Sequence, residues 1–385
     1  MQAMNGSAGS VRSRGRLIGC CMALALVLSA LVFAPGASAA VPPPIHTYVA
    51  VGDSLAFGYT QEKSEENAPN EPPSYFETGY ASEFAKLLRS KAGGGDKGLV
   101  LVNNGCPGET TDSLFGTGPL GKAVDPTGTQ ACPYHFTLGL PLHTSLATLS
   151  QAENAISQLN PCFVKASVCA PPHEIKMVTF NMAGNDELAS IAKCKAEVKS
   201  EYETTGKSKY DQNGEKEPPE VEIPGAVLGC IVVNSTSVFK HIVQNTETML
   251  GLIRSGSYGN YAGPIKVLGV YNPQAFILPG SDALQTVLNG QLKEAAEKFG
   301  AKFANPMPKI NPSPEGGPKE KKAIEKYTEW YNPKDVAANK AKCEANQAKE
   351  AGESKTVIFP CTTPEGDIHP SLAGSKALAK LLLEA

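Results

Sequence analysis

The chain has 385 residues and carries 35 Lys and Arg against 38 Asp and Glu, for a formal net charge of −3. That balance argues against a nucleic-acid-binding surface, and the 41% of hydrophobic residues is that of a globular protein. The length exceeds a usual single domain, so insertions into one domain, or a small appended one, are expected.

At the amino terminus Arg12, Arg14 and Arg16 precede an apolar run, Leu17 to Phe33, and Ala37-Ser38-Ala39 forms a small-x-small site. This layout predicts a secretory signal peptide over 1–39, and hence export, with one domain over 40–385. The run is short for a membrane span, and no second run is read as long enough to cross a bilayer. The first strand, His46–Val51, ends in Gly52-Asp53-Ser54-Leu55, and Glu62–Phe76 reads as a polar, Pro-rich surface loop. A helix over Tyr80–Ser90 leads to a strand over Leu99–Val102 that closes on Asn103-Asn104-Gly105. A helix over Leu142–Leu159 leads to a strand over Ile175–Phe180, followed by Gly184-Asn185-Asp186. Glu197–Pro224 is a charged excursion bracketed by Cys194 and Cys230. Helices over Ser235–Arg254 and Asp282–Phe299 precede the strands Ile265–Tyr271 and Ala301–Ala304 respectively. Asn311–Lys355 is a Lys/Glu/Ala-rich helical insertion bearing Tyr327, Trp330 and Tyr331, to be read as a lid, a pocket wall or a solvated hairpin. Asp367-Ile368-His369-Pro370 comes last, before a helix over Leu372–Glu384. Strands alternating with helices predict an α/β protein: a three-layer α/β/α sandwich on a mainly parallel five-stranded sheet.

Eight cysteines remain beyond the leader: Cys106, Cys132, Cys162, Cys169, Cys194, Cys230, Cys343 and Cys361. An even number in an exported chain predicts disulfides, and loop closure favours the sequential pairs 106–132, 162–169, 194–230 and 343–361. No short Cys/His spacing supports zinc.

A serine at the carboxyl end of the first strand stands where open α/β sheets place their chemistry. It needs a base and donors for a developing oxyanion. Of six histidines, only His369 falls in a loop after the last strand, with Asp367 near it; His46 sits at the far end of the first strand from Ser54. Gly105, by its backbone N–H, and Asn185, by its side-chain amide, follow the second and third strands and could serve the same oxyanion. The literal G-x-G-x-x-G at Gly116–Gly121 has no preceding strand and contains Pro119, so it is set aside. No G-x-S-x-G elbow is present.

These four blocks, Gly52-Asp53-Ser54-Leu55, Gly105, Gly184-Asn185-Asp186 and His369-Pro370, resemble those of the SGNH hydrolases, the GDSL lipase/esterase family. The cysteines and leader resemble its secreted bacterial members. The resemblance implies a serine esterase or lipase acting on a small-molecule or lipid ester without cofactor or metal. Ser54 would be nucleophile and His369 base, with Ser54, Gly105 and Asn185 as the oxyanion hole. A monomer is expected, and a carbohydrate acetylesterase or a catalytically silent binding scaffold are the alternatives. The family usually has an aspartate three residues before the histidine, where this chain has Gly366. Asp367, Glu365 or a backbone carbonyl would then orient His369, with Asp367 preferred.

Overall fold

The structure is a computed structural model describing residues 44–385 except 68–69, 118–129, 145–149, 162–172, 211–218, 276–277, 279, 332–335, 342–343 and 346–365. The expected leader over 1–39, the pairs Cys162–Cys169 and Cys343–Cys361, and Glu365 lie outside the described residues.

Five strands, β1 (Ile45–Gly52), β2 (Val100–Asn103), β3 (His173–Asn181), β4 (Ile265–Leu268) and β5 (Lys302–Ala304), form one sheet. Their order is β2-β1-β3-β4-β5, and every pairing is parallel. The helices that frame the site are α1 (Ser54–Phe57), α2 (Tyr80–Arg89), α3 (Gln151–Leu159), α4 (Gly184–Thr205), α5 (Pro219–Arg254), α6 (Ser281–Lys298), α7 (Pro318–Tyr327) and α8 (Leu372–Glu384). Side chains alternate across a strand. In β1, Tyr48 and Ala50 therefore enter a core that contains Phe84 of α2 and Leu378 of α8. Val49 and Val51 enter the opposite core with Ile156 of α3 and Leu250 of α5. Burial on both faces explains the apolar strands, and the three layers are those expected. The chain leaves β1 for β2 on one side and reaches β3 on the other. That reversal opens a crevice at the carboxyl ends of β1 and β3.

Several boundaries differ from the expectation. Glu62–Phe76 is not all loop: it contains a helix over Gln61–Asn67 and a tight 3₁₀ turn over Pro73–Phe76, and Phe76 is fully buried. The helix expected from Leu142 starts at Gln151, because the Ser150 hydroxyl caps it by accepting from the Glu153 N–H at 3.1 Å. The helix expected from Ser235 starts at Pro219. There the Cys194–Cys230 disulfide fastens it to α4, and Val198, Tyr202 and Val227 pack around the bridge. Gly225–Arg254 is also long and apolar enough to cross a membrane by length and composition, against the expectation that no second run would be. Its Ile242, Met249, Leu250 and Ile253 are fully buried, but only 33% of its most apolar window is buried, and Val232 and Val233 are exposed. The Cys106–Cys132 bridge is formed as expected. Each of the two bridges adds about 2–4 kcal/mol by constraining the unfolded chain.

Candidate active site

β1 runs straight into α1 at Gly52, where a Cβ would lie 2.7 Å from the Ala56 Cβ. Asp53 caps α1, accepting the Leu55 N–H at 2.9 Å. Ser54 is thus held at the first helical position. Its own N–H is one of the amides a helix start leaves without an intrahelical acceptor, and it has no acceptor among the described residues.

His369 meets it from the far end of the chain, with Nε2 2.8 Å from Ser54 Oγ. Its Nδ1 faces Asp367 Oδ1, which also accepts the His369 backbone N–H at 3.1 Å. Asp367 Oδ2 accepts the Gln61 N–H at 2.6 Å. Burial raises the Asp367 carboxyl, but the charge and hydrogen bonds of His369 and the Gln61 amide outweigh it, and the group titrates below the ordinary carboxylate range. An ionised Asp367 can only accept, so Nδ1 is the donor and Nε2 is left to accept the Ser54 hydroxyl. All three groups are buried, with Ser54 6% exposed and His369 8%.

Gly366 explains the irregular spacing. A Cβ there would lie 1.6 Å from the Trp330 carbonyl oxygen, so no side chain fits and the carboxylate enters one residue later. The same segment of the insertion pins the histidine loop. The Glu329 N–H donates to the His369 carbonyl at 2.8 Å and the Ser371 N–H to the Tyr327 carbonyl at 3.1 Å. Thr328 bridges Pro370, and the Tyr271 hydroxyl donates to the Ile368 carbonyl at 2.7 Å. Trp330 is buried in the core with Tyr327 and Tyr331 packed against it. These aromatics brace the histidine loop, and none of them lines the cleft at Ser54.

The end of β2 corrects one expectation. The Gly105 N–H donates to Asn103 Oδ1 at 2.9 Å, and Asn103 Nδ2 donates to the Ala56 carbonyl at 2.9 Å. Gly105 is needed for packing, since a Cβ would lie 2.5 Å from the Phe57 nitrogen, but its amide is already spent. Three residues on, the Glu109 N–H donates to the Cys106 carbonyl at 3.2 Å. Pro107 and Gly108 occupy the centre of that turn, with Gly108 at φ +79°, the pattern of a type II turn. The Gly108 N–H belongs to the central peptide of the turn and has no acceptor among the described residues. Asn185 Nδ2 donates to the Glu109 carbonyl at 2.8 Å, which uses one of its two hydrogens. Asp186 accepts from Thr111 N–H at 2.9 Å and from its hydroxyl at 2.7 Å. The first turn of α4 therefore clasps the Gly108 loop. Ala183, at φ +123°, makes the bend into α4, and such strain costs on the order of 1–3 kcal/mol.

Buried acids surround this cluster. Burial raises Asp53 to about 7, Asp186 to about 6 and Glu109 to about 8. Glu109 is 0% exposed. Its Oε2 accepts the Cys132 N–H at 2.9 Å, and its Oε1 has no partner. Cys106, Glu109 and Cys132 converge, but the two sulfurs are bonded to each other and offer no thiolate to a metal. The fold holds Glu109 protonated, so the stability this contributes is full below the ordinary carboxyl value and lost as pH rises toward about 8. Glu109→Gln is expected to flatten the fall in melting temperature between pH 5 and 8.5; an unchanged slope in thermal unfolding would assign that fall elsewhere.

Other histidines are engaged elsewhere: His46 with Asp96 and Glu174, His241 with Asp112, His143 with the Phe57 carbonyl and His135 with the Leu140 carbonyl. Ser54, His369, Asp367 and Asn185 come together; Gly105 stays behind them. Gly108 and the Gln61 amide escaped the sequence reading. Pro107-Gly108 was a turn signal that pointed to the first, while nothing local marks the second.

No family model matches the chain, and no curated protein matches it. Among solved structures the chain is similar to an extracellular lipase from Streptomyces rimosus, at 14% identity over 68% of this chain and 80% of that one, TM-score 0.35. It is similar to a carbohydrate acetylesterase family member from Sinorhizobium meliloti at 12% identity (88% and 96% covered, TM-score 0.35). The M. smegmatis aryl esterase is 15% identical (88% and 97% covered, TM-score 0.33). Likeness at this level is weak, and the reading of the site rests on its own geometry.

Proposed function

We propose that the chain is a serine ester hydrolase of the SGNH type. The observation that carries this is the continuous chain of hydrogen bonds from Ser54 through His369 to Asp367. Ser54 attacks the ester carbonyl while His369 Nε2 takes its proton, and Asp367 steadies the imidazolium. His369 then protonates the departing alkoxide, and water, activated by the same nitrogen, releases the acyl group. The oxyanion is received by the Ser54 N–H, the remaining Asn185 Nδ2 hydrogen and the Gly108 N–H, which takes the role first expected of Gly105. No step calls for a cofactor or metal. Export is part of the proposal, supported by the two disulfides in the described chain and by the layout of residues 1–39.

Losing one oxyanion donor costs roughly 100- to 1000-fold in turnover. Asn185→Ala is expected to fall by that amount in kcat on p-nitrophenyl acetate with KM little changed. A loss confined to KM would make Asn185 a substrate contact instead. The reading as a whole is tested by hydrolysis of p-nitrophenyl esters by the oxidised protein. Serine-dependent release of p-nitrophenol supports it, and a folded, oxidised protein inert on every ester would favour the binding-scaffold alternative.

A further inference from the structure

Two of the three oxyanion donors depend on one short stretch of chain. Gly108 supplies its own N–H, and Asn185 is aimed by the bond from its Nδ2 to the Glu109 carbonyl at 2.8 Å. Gly108–Asp112 belongs to no helix or strand, so its place is set by what grips it. The Cys106–Cys132 bridge holds one end, and Leu114 and Phe115 are buried in the core beyond the other. Between them lies Thr111, 0% exposed. Asp186 of α4 accepts its N–H at 2.9 Å and its hydroxyl at 2.7 Å. Asn245 of α5 grips the same stretch, its Nδ2 donating to Asp112 Oδ1 at 2.9 Å and to the Thr111 hydroxyl oxygen at 3.3 Å.

Asn245 is 6% exposed, on a helix whose Ile242 and Met249 enter apolar clusters. An amide at such a position costs free energy unless it is bonded, and its Nδ2 is bonded to the Gly108 loop. One helical turn earlier, His241 Nε2 shares Asp112 Oδ1 at 2.6 Å and lies 3.3 Å from Asn245 Nδ2. The single hydrogen of the Thr111 hydroxyl goes to Asp186, so that oxygen accepts from Asn245. The relay thus runs from Asn245 through Thr111 to the residue next to Asn185. Asn245 itself does not line the cleft at Ser54 and can act on the reaction only through the loop. Resting on the esterase reading above, we propose that Asn245 is a positioning residue for the oxyanion hole: through Thr111 and Asp112 it fixes the Gly108–Asp112 segment and so aims the Gly108 and Asn185 donors at one oxygen.

The test is steady-state hydrolysis of p-nitrophenyl acetate by the oxidised full chain and by Asn245→Leu, which keeps the side-chain size and removes the amide. Small misplacement of groups around a reacting centre costs up to about 100-fold, so kcat is expected to fall roughly 10- to 100-fold with KM little changed. Thr111→Val cuts the relay and is expected to reproduce the loss, while Thr111→Ser keeps the hydroxyl and retains most of the activity. A purely structural role would not single out Asn185. Where Asn185→Ala has already removed one aimed donor, Asn245→Leu has less to misplace. The double variant is therefore expected to lose less than the product of the single losses, by about threefold or more. Should Asn245→Leu fail to fold, Thr111→Val takes its place in the same cycle. An unchanged kcat, or losses that multiply fully, overturns the positioning role, and hydrolysis that still depends on Ser54 leaves the esterase reading standing. Hydrolysis absent from the wild type, or persisting in Ser54→Ala, removes both.

Discussion

Ser54→Ala is expected to lose on the order of 10⁶-fold in kcat on any accepted ester, the scale seen when a serine nucleophile is removed from an intact triad. The reason is that every covalent step passes through its Oγ. The same substitution is expected to cost the fold little. It removes one hydrogen bond, to His369 Nε2, worth a net of about 1 kcal/mol, and the small residue leaves the Asp53 cap and the Gly58 turn of α1 in place. Steady-state kinetics and thermal unfolding of the same preparation separate these effects. Large loss with little change in melting temperature is the expected pair of results. Retained activity would show that another group performs the hydrolysis.

Asp367→Asn is expected to lower kcat by about 10⁴-fold with KM nearly unchanged, as when the analogous carboxylate of a serine triad becomes an amide. Here the local geometry gives the cause. Oδ1 accepts from both the backbone N–H and Nδ1 of His369, while Oδ2 accepts from the Gln61 N–H. An asparagine has one accepting oxygen. If its NH₂ faces Gln61, two donors collide; if it faces His369, the imidazole is driven to carry its proton on Nε2 and can no longer accept from Ser54. The carboxyl of Asp367 is lowered in the fold. The stability it contributes is therefore present above the ordinary carboxyl value and lost as pH falls through its lowered one. The gap in melting temperature between wild type and Asp367→Asn should close in acid; a pH-independent gap would mean that the ionised Asp367 carboxylate is not its source.

The centre of the sheet was legible because β1 is buried on both faces. Tyr48–Val51 and Val178–Phe180 have no exposed face to disguise them, and all five expected runs became strands although the edge strands β2 and β5 are partly exposed. Ser54, Asn185 and His369 could be placed together because each follows the carboxyl end of a strand or closes the last loop of the same edge. What could not be read was contact between segments remote in sequence. Gly105 was chosen as a glycine after a strand, but its amide is consumed by Asn103, a partnership that spacing alone does not reveal. Gly366 looked like a missing aspartate until Trp330, 36 positions earlier in the chain, occupied the space a side chain would need. Trp330 likewise suggested a cover for the site and proved to be core, because its aromatic neighbours and the histidine loop share one buried cluster. The helix expected from Ser235 runs back to Pro219, through Pro224, Gly225 and Gly229, whose low helix propensity masks its continuity.

The account depends above all on Ser54 being an activated nucleophile. The most direct measurement is labelling of the oxidised protein by a fluorophosphonate at neutral pH, with the modified residue located by peptide mass spectrometry and His369→Ala as comparison. Stoichiometric phosphonylation of Ser54, abolished in His369→Ala, is the predicted result. An unlabelled Ser54 in a folded protein, labelling at another residue, or labelling that persists without His369 would contradict it.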